Sequence, residues 1–105
     1  MVQNKSDIES QIFKALKTVY DPEIPVNIYE LGLVYEIEIN DSFLVNIKMT
    51  LTSPNCPVAE ILPVEVQDVV NKIPGVKDTH VEIVLEPTWI PDMMSDAAKL
   101  ELGML

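Results

Sequence analysis

The clearest pattern lies at the centre of the chain, where Phe43, Val45, Ile47, Met49 and Leu51 alternate with Leu44, Asn46, Lys48, Thr50 and Thr52. This period of two predicts a half-buried strand. Leu33, Tyr35, Ile37 and Ile39 alternate in the same way with Val34, Glu36 and Glu38, giving an earlier strand with one apolar and one largely charged face. Asn40-Asp41-Ser42 between them reads as a turn, so the two strands make a hairpin. A third strand is predicted over Val76 to Leu85, with Val81, Ile83 and Leu85 on one side and His80, Glu82 and Val84 on the other.

Helical spacing appears on both sides of the hairpin. Ile8, Ile12, Phe13, Leu16, Val19 and Tyr20 predict a helix over about 7–20, with Ser6 and Glu9 as a capping box and Asp21-Pro22 as its stop. Val58, Leu62, Val66, Val69, Val70 and Ile73 predict a second helix, with Asn55 as N-cap, Pro57 in the first turn and Ile73-Pro74-Gly75 as its end. Pro63 inside that stretch predicts a kink or break near 59–63, since an interior proline costs about 3 kcal/mol. Ser95 is placed to cap a short last helix through Leu102, with Gly103 at its C-terminal end.

The order helix, strand, strand, helix, strand, short helix gives an α/β (α+β) fold, a two-layer sandwich with the helices on one face of a small mixed sheet. Residues 1–105 have room for a single domain, with a core over about 6–86 and a C-terminal segment over 87–105. A three-stranded sheet leaves one face and two edges open, which invites pairing with a second copy or a partner.

Composition narrows the function classes. With 7 basic against 17 acidic residues and a net charge of −10, the chain has no cluster of Lys and Arg for phosphates, which argues against nucleic acid or anionic lipid as partner. Its apolar runs fall far short of the ~20 residues that span a bilayer, and Met-Val-Gln-Asn-Lys-Ser at the start has no apolar signal core. A cytoplasmic protein is therefore expected. The single cysteine allows no internal disulfide, which fits a reducing compartment.

That cysteine, Cys56, is the first candidate for chemistry, because it stands where the central strand gives way to the second helix. Unpaired N–H groups and the macrodipole at a helix start favour a thiolate, the form that binds metal or attacks an electrophile. Free cysteine also serves as a small buried hydrophobe, so packing stands beside chemistry here. A second candidate is the connector from Asp21 to Gly32, too long and too apolar for an ordinary loop and so expected to pack against the body. Asp21 and Glu23 flank a rigid proline there, which limits where their carboxylates can point; Asp21 could equally close a local turn onto its own backbone. His80, the sole histidine, is read as solvent-facing on its strand. Trp89, set between Pro87 and Pro91, is either a hydrophobic plug or part of a binding surface.

Several of these segments together resemble one family. Asp21-Pro22-Glu23-Ile24-Pro25-Val26-Asn27-Ile28, Leu31-Gly32-Leu33-Val34-Tyr35, Met49-Thr50-Leu51-Thr52 with Cys56-Pro57, and Trp89 with Met93-Met94-Ser95 are similar, in order and spacing, to the SufT/PaaD-like family of iron–sulfur cluster assembly accessory proteins, over about residues 6 to 103. The resemblance implies the fold read above and a part in maturing iron–sulfur proteins, in assembling a cluster or transferring it to client apoproteins. It also implies that Asp21, Thr52 and Cys56 form a small site.

Clusters are held mainly by about four thiolates, and this chain offers one. Its carboxylates are hard ligands, poorly matched to sulfide-bridged iron. The expectation is a transient cluster shared between chains and none stably bound by a monomer, with Cys56 as the metal ligand and Asp21, Glu23, Thr52 and Trp89 as binding residues. Assembly scaffolds, client apoproteins or a second copy in a homodimer would supply the missing thiolates. Two other classes stand beside this one. An adaptor subunit of a multicomponent oxygenase is the PaaD-like alternative. A thiol enzyme with Cys56 as nucleophile lacks an evident base, so the chain is not expected to be an enzyme.

Overall fold

The computed structural model describes residues 4–21, 24–52 and 56–104, with the backbone alone for 56–60. Glu23 and the expected cap at Asn55 lie outside the described residues, as does the side chain of Cys56. The described elements are α1 (Lys5–Leu16), α2 (Ile28–Leu31), β1 (Val34–Ile39), β2 (Leu44–Met49), α3 (Cys56–Asn71), β3 (Asp78–Ile83), a 3-10 turn (Pro91–Met93) and α4 (Asp96–Glu101). The sheet runs β1-β2-β3, antiparallel between β1 and β2 and parallel between β2 and β3, which makes it mixed as expected.

β2 forms the middle of the sheet. Its Val45, Ile47 and Met49 are buried against Ile8, Ile12 and Leu16 of α1 and Leu62, Val66 and Val70 of α3, the residues whose spacing marked the two helices. The opposite face carries the polar set, with Glu36 opposite Lys48 across the ladder and their charged ends 3.6 Å apart. His80 is exposed on that face of β3, as read. Among the described residues no helix is long and apolar enough to cross a membrane.

Five local expectations are corrected. α1 is capped by Asn4, whose side chain accepts from the Asp7 N–H, rather than by Ser6. It ends at Leu16 rather than near 20, because Val19, Tyr20 and Asp21 turn their backbone to the connector: Tyr20 bridges Asn27, Ile28 N–H donates to the Val19 carbonyl at 2.9 Å, and Asp21 N–H donates to Val26 at 3.3 Å. The connector contains a helix that periodicity did not reveal, α2, capped by Asn27 and closed by Gly32 at φ 79°. A single turn is too short to show a period.

The break near Pro63 does not occur, and α3 runs unbroken through it. Burying Leu62, Val66 and Val70 contributes about 1.5–3 kcal/mol each, more together than the ~3 kcal/mol an interior proline costs. Finally, Phe43 belongs to the hairpin turn rather than to the strand. It sits at φ 62°, after Asn40 has bonded the Ser42 and Leu44 N–H groups through its side chain, in the three-residue hairpin loop that ends on a left-handed residue. The final helix follows its prediction closely, with Ser95 as N-cap, Leu102 as C-cap and Gly103 at φ 75°.

Candidate functional site

β2 and β3 finish, and β1 starts, at the same end of the sheet, because β2 is parallel to β3 and antiparallel to β1. Every sequence-predicted site residue that the structure describes collects at that end. Ligands in open α/β sheets commonly bind beyond the carboxyl ends of the strands, and β2–α3–β3 has that connectivity.

Asp21 is only 3% exposed. Its two carboxylate oxygens do different work: Oδ1 accepts from the Ile24 N–H at 3.1 Å, and Oδ2 accepts from the Thr52 hydroxyl at 3.2 Å. The local turn bond and the long-range contact, read as alternatives from the sequence, are thus both present. A buried carboxylate is costly unless hydrogen-bonded, and these bonds hold it in place. Thr52 lies just past the end of β2, and four residues further on the backbone of Cys56 opens α3. The Asp21–Thr52 contact therefore ties the apolar connector to the strand-to-helix corner.

Beside Thr52 is a cleft of about 260 Å³ lined by Thr50, Thr52, Leu85, Glu86, Thr88 and Trp89. One wall is the segment that leaves β3. Val84 N–H donates to the Met49 carbonyl at 2.8 Å, and the chain then crosses the strand ends until the Trp89 indole donates to the Leu31 carbonyl at 2.7 Å, closing on α2. Trp89 is half-buried, so it is both a plug and a cleft wall. Tyr35 anchors the same segment, its hydroxyl donating to the Pro87 carbonyl at 2.7 Å and lying 3.6 Å from Met93 Sδ. Burial pushes the Tyr35 phenol above its ordinary pKa, and its hydrogen bond with Thr50 pulls the other way.

Farther along, Ser95 N–H donates to the Glu30 carbonyl at 2.8 Å, and the Ser95 hydroxyl bonds the Glu30 carboxylate. Gly32 fits between these elements because it has no Cβ: a side chain there would strike the Met93 carbonyl.

Thr50 was missed from the sequence. Alternation placed it on the outward face, yet it is 2% exposed, because the β3-to-α4 segment closes over that end of the sheet. Two threonines flanking Leu51 at a strand end were the available signal. Among the described residues no three of His, Cys, Asp and Glu converge to hold a metal ion. The donors that the described side chains offer at this end are oxygens, the Asp21 and Glu86 carboxylates and the threonine hydroxyls.

Residues 9–83 match the family described as iron–sulfur cluster assembly protein. Over 97 residues the chain is 47% identical to a protein of Porphyromonas gingivalis named Fe-S protein maturation auxiliary factor, covering 92% of each. It is 43% identical over 86 residues to the Fe-S protein maturation auxiliary factor SufT of Staphylococcus aureus, covering 82% of this chain and 98% of the relative. The fold is similar to the crystal structure of a domain of unknown function, DUF59, from Bacillus anthracis, with a TM-score of 0.86, 35% identity and 95% of each chain covered. With the motifs of the strand ends in place and most of the chain matched, this protein belongs to the iron–sulfur cluster assembly protein family.

Proposed function

We propose that this protein is an accessory factor in iron–sulfur cluster assembly, helping to deliver clusters to client proteins through the end of the sheet formed by Asp21, Thr52 and Cys56. The observation that carries the reading is the hydrogen bond from Thr52 to the buried Asp21 carboxylate, which builds a polar corner beside the start of α3, where the only cysteine of the chain stands. The names of relatives that match over most of their length support the same reading.

In this reading the cluster is cargo and the chain is not an enzyme. One thiolate leaves about three positions of a cluster unfilled, and carboxylate oxygens are a poor match for them. A scaffold or client supplies the other thiolates, a second copy of the chain adding only one, and an incomplete ligand set lowers the barrier to release. The cleft at Trp89 receives the partner's ligand-bearing segment.

Anaerobic reconstitution with ferrous iron and sulfide, followed by native mass analysis and by transfer to an apo-protein, tests this. The wild-type chain is expected to carry a labile cluster only with a second chain or an added thiol, and Cys56→Ser is expected to lose both loading and transfer. A stable cluster on a single chain without other thiols, or wild-type transfer by Cys56→Ser, would overturn the reading.

A further inference from the structure

The sheet has two edges, β1 and β3, and the β1 edge has the features of a binding site. Asn40 N–H donates to the Leu44 carbonyl at 3.1 Å, which makes that pair a hydrogen-bonded one. Bonded and non-bonded pairs alternate in an antiparallel ladder, so Glu38–Asn46 and Glu36–Lys48 are bonded as well. The N–H and C=O groups of Ile37 and Ile39 then point away from β2. Among the described residues no strand lies against them.

The side chains along this edge are also incompletely covered. Ile37 and Ile39 face the core side but remain half-buried, whereas Val45 and Ile47, their partners on β2, are buried outright. Beside them, between the edge and α1, is a groove of about 200 Å³ with Phe13, Tyr29, Val34 and Ile37 as its apolar lining and Glu9 and Glu36 at its rim. The Phe13 and Tyr29 rings pack at 5.4 Å and Lys17 lies 5.3 Å over Tyr29, so this apolar lining is already ordered. On the other face of the same strand, Glu36 and Glu38 are exposed. Lys48 meets Glu36 only in an exposed pair at 3.6 Å, which leaves that carboxylate open to a second cation.

We infer that the free edge of β1 and its groove form a docking site for an extended segment of a partner protein in which apolar side chains alternate with basic ones. The partner adds as a fourth strand, its backbone bonding to Ile37 and Ile39. Because side chains alternate across a strand, residues opposite Ile37 and Ile39 send apolar groups into the groove, and their neighbours set Lys or Arg against Glu36 and Glu38. Charge decides against a second copy as occupant. Antiparallel pairing of β1 with itself about Ile37 would place Glu36 against Glu38 twice, and like charges directly opposed are destabilising. A net charge of −10 favours a basic partner at longer range as well. The irregularity between Val34 and Glu36 confines the pairing to the Glu36–Ile39 half of the strand.

The test is titration of the full ¹⁵N-labelled chain with a short capped peptide alternating lysine and valine, with an alternating glutamate–valine peptide as control. Saturable shifts centred on Ile37 and Ile39, with slowed exchange of those two amides and weakening at high salt, are expected. The double variant Glu36→Lys with Glu38→Lys is expected to bind the lysine peptide about tenfold more weakly and to bind the glutamate peptide instead. Both positions are exposed, and the thermal melt of the variant checks that it still folds. The proposal is overturned if the lysine peptide gives no saturable shift on β1, if methylating its alternate amides leaves binding unchanged, if the folded double variant binds as the wild type does, or if sedimentation shows that β1 is occupied by a second copy.

Discussion

The middle of β2 and its far end are almost equally buried and are filled with opposite chemistry. Val45, Ile47 and Met49 lie among aliphatic side chains of α1 and α3. At the far end Thr50 and Asp21 are nearly as inaccessible as that core, yet Asp21 is held by hydrogen bonds from Ile24 and Thr52. Burying an aliphatic side chain contributes about 1.5–3 kcal/mol, whereas an intramolecular hydrogen bond contributes a net of about 1 kcal/mol. Stability alone would extend the aliphatic filling to the strand ends. The polar filling near the start of α3 instead forms the corner on which the proposed function rests.

The largest expected effect comes from the aliphatic region. Ile47→Ala removes a fully buried side chain from the central strand and is expected to cost about 2–5 kcal/mol in urea unfolding; a loss under 1 kcal/mol would mean that the two helices collapse onto the sheet and the layer is not tightly packed. Next is Gly32→Ala, at the junction of α2 with the C-terminal segment. Its left-handed φ of 79° and the Met93 carbonyl both oppose a Cβ, so a loss of about 2 kcal/mol or more is expected, together with greater exposure of Trp89 to a fluorescence quencher.

The pair Asp21→Ala and Asp21→Asn separates structure from chemistry at the polar end. Alanine leaves the Ile24 N–H and the Thr52 hydroxyl without this acceptor and is expected to cost about 1–3 kcal/mol, while asparagine keeps an acceptor and is expected to cost less than about 1 kcal/mol. Cluster transfer is expected to fall in both. Full transfer by a stable Asp21→Asn would make the carboxylate purely structural and erase the contrast between the two regions.

The smallest effect concerns Tyr35, whose hydroxyl holds the Pro87 carbonyl. Tyr35→Phe is expected to cost about 1 kcal/mol. Burial raises the phenol above its ordinary value, so its contribution is fully present below the unfolded-state pKa of about 10 and is lost as pH rises through the folded-state value. Wild-type stability should therefore fall more steeply above pH ~10 than that of Tyr35→Phe, as measured by thermal melts across that range.

Periodicity located what it reports on. The apolar faces of α1, β2 and α3, the hairpin and the Ser95 cap were all readable, since each depends on local spacing or on a short-range bond. The single turn of α2 and the early end of α1 were not, because backbone groups of Val19 to Asp21 found partners in Val26 to Ile28 rather than in their own helix. Of the site residues, Asp21, Thr52 and Trp89 stood out by residue type and by family resemblance, but nothing local says that they share one end of the sheet.

By itself the sequence determined which residues turn inward, since an apolar side chain at period two or 3.6 has one way to leave water. It also determined the single thiol and the acidic balance that limit ligands and partners. Only the tertiary structure decided that the Asp21 carboxylate reaches across to Thr52, that Thr50 is covered, that α3 tolerates Pro63, and that β1 lies at the edge of the described sheet. Each of these rests on contacts between segments far apart in the chain, and their energies come from the packing of whole layers, which no local stretch of residues encodes.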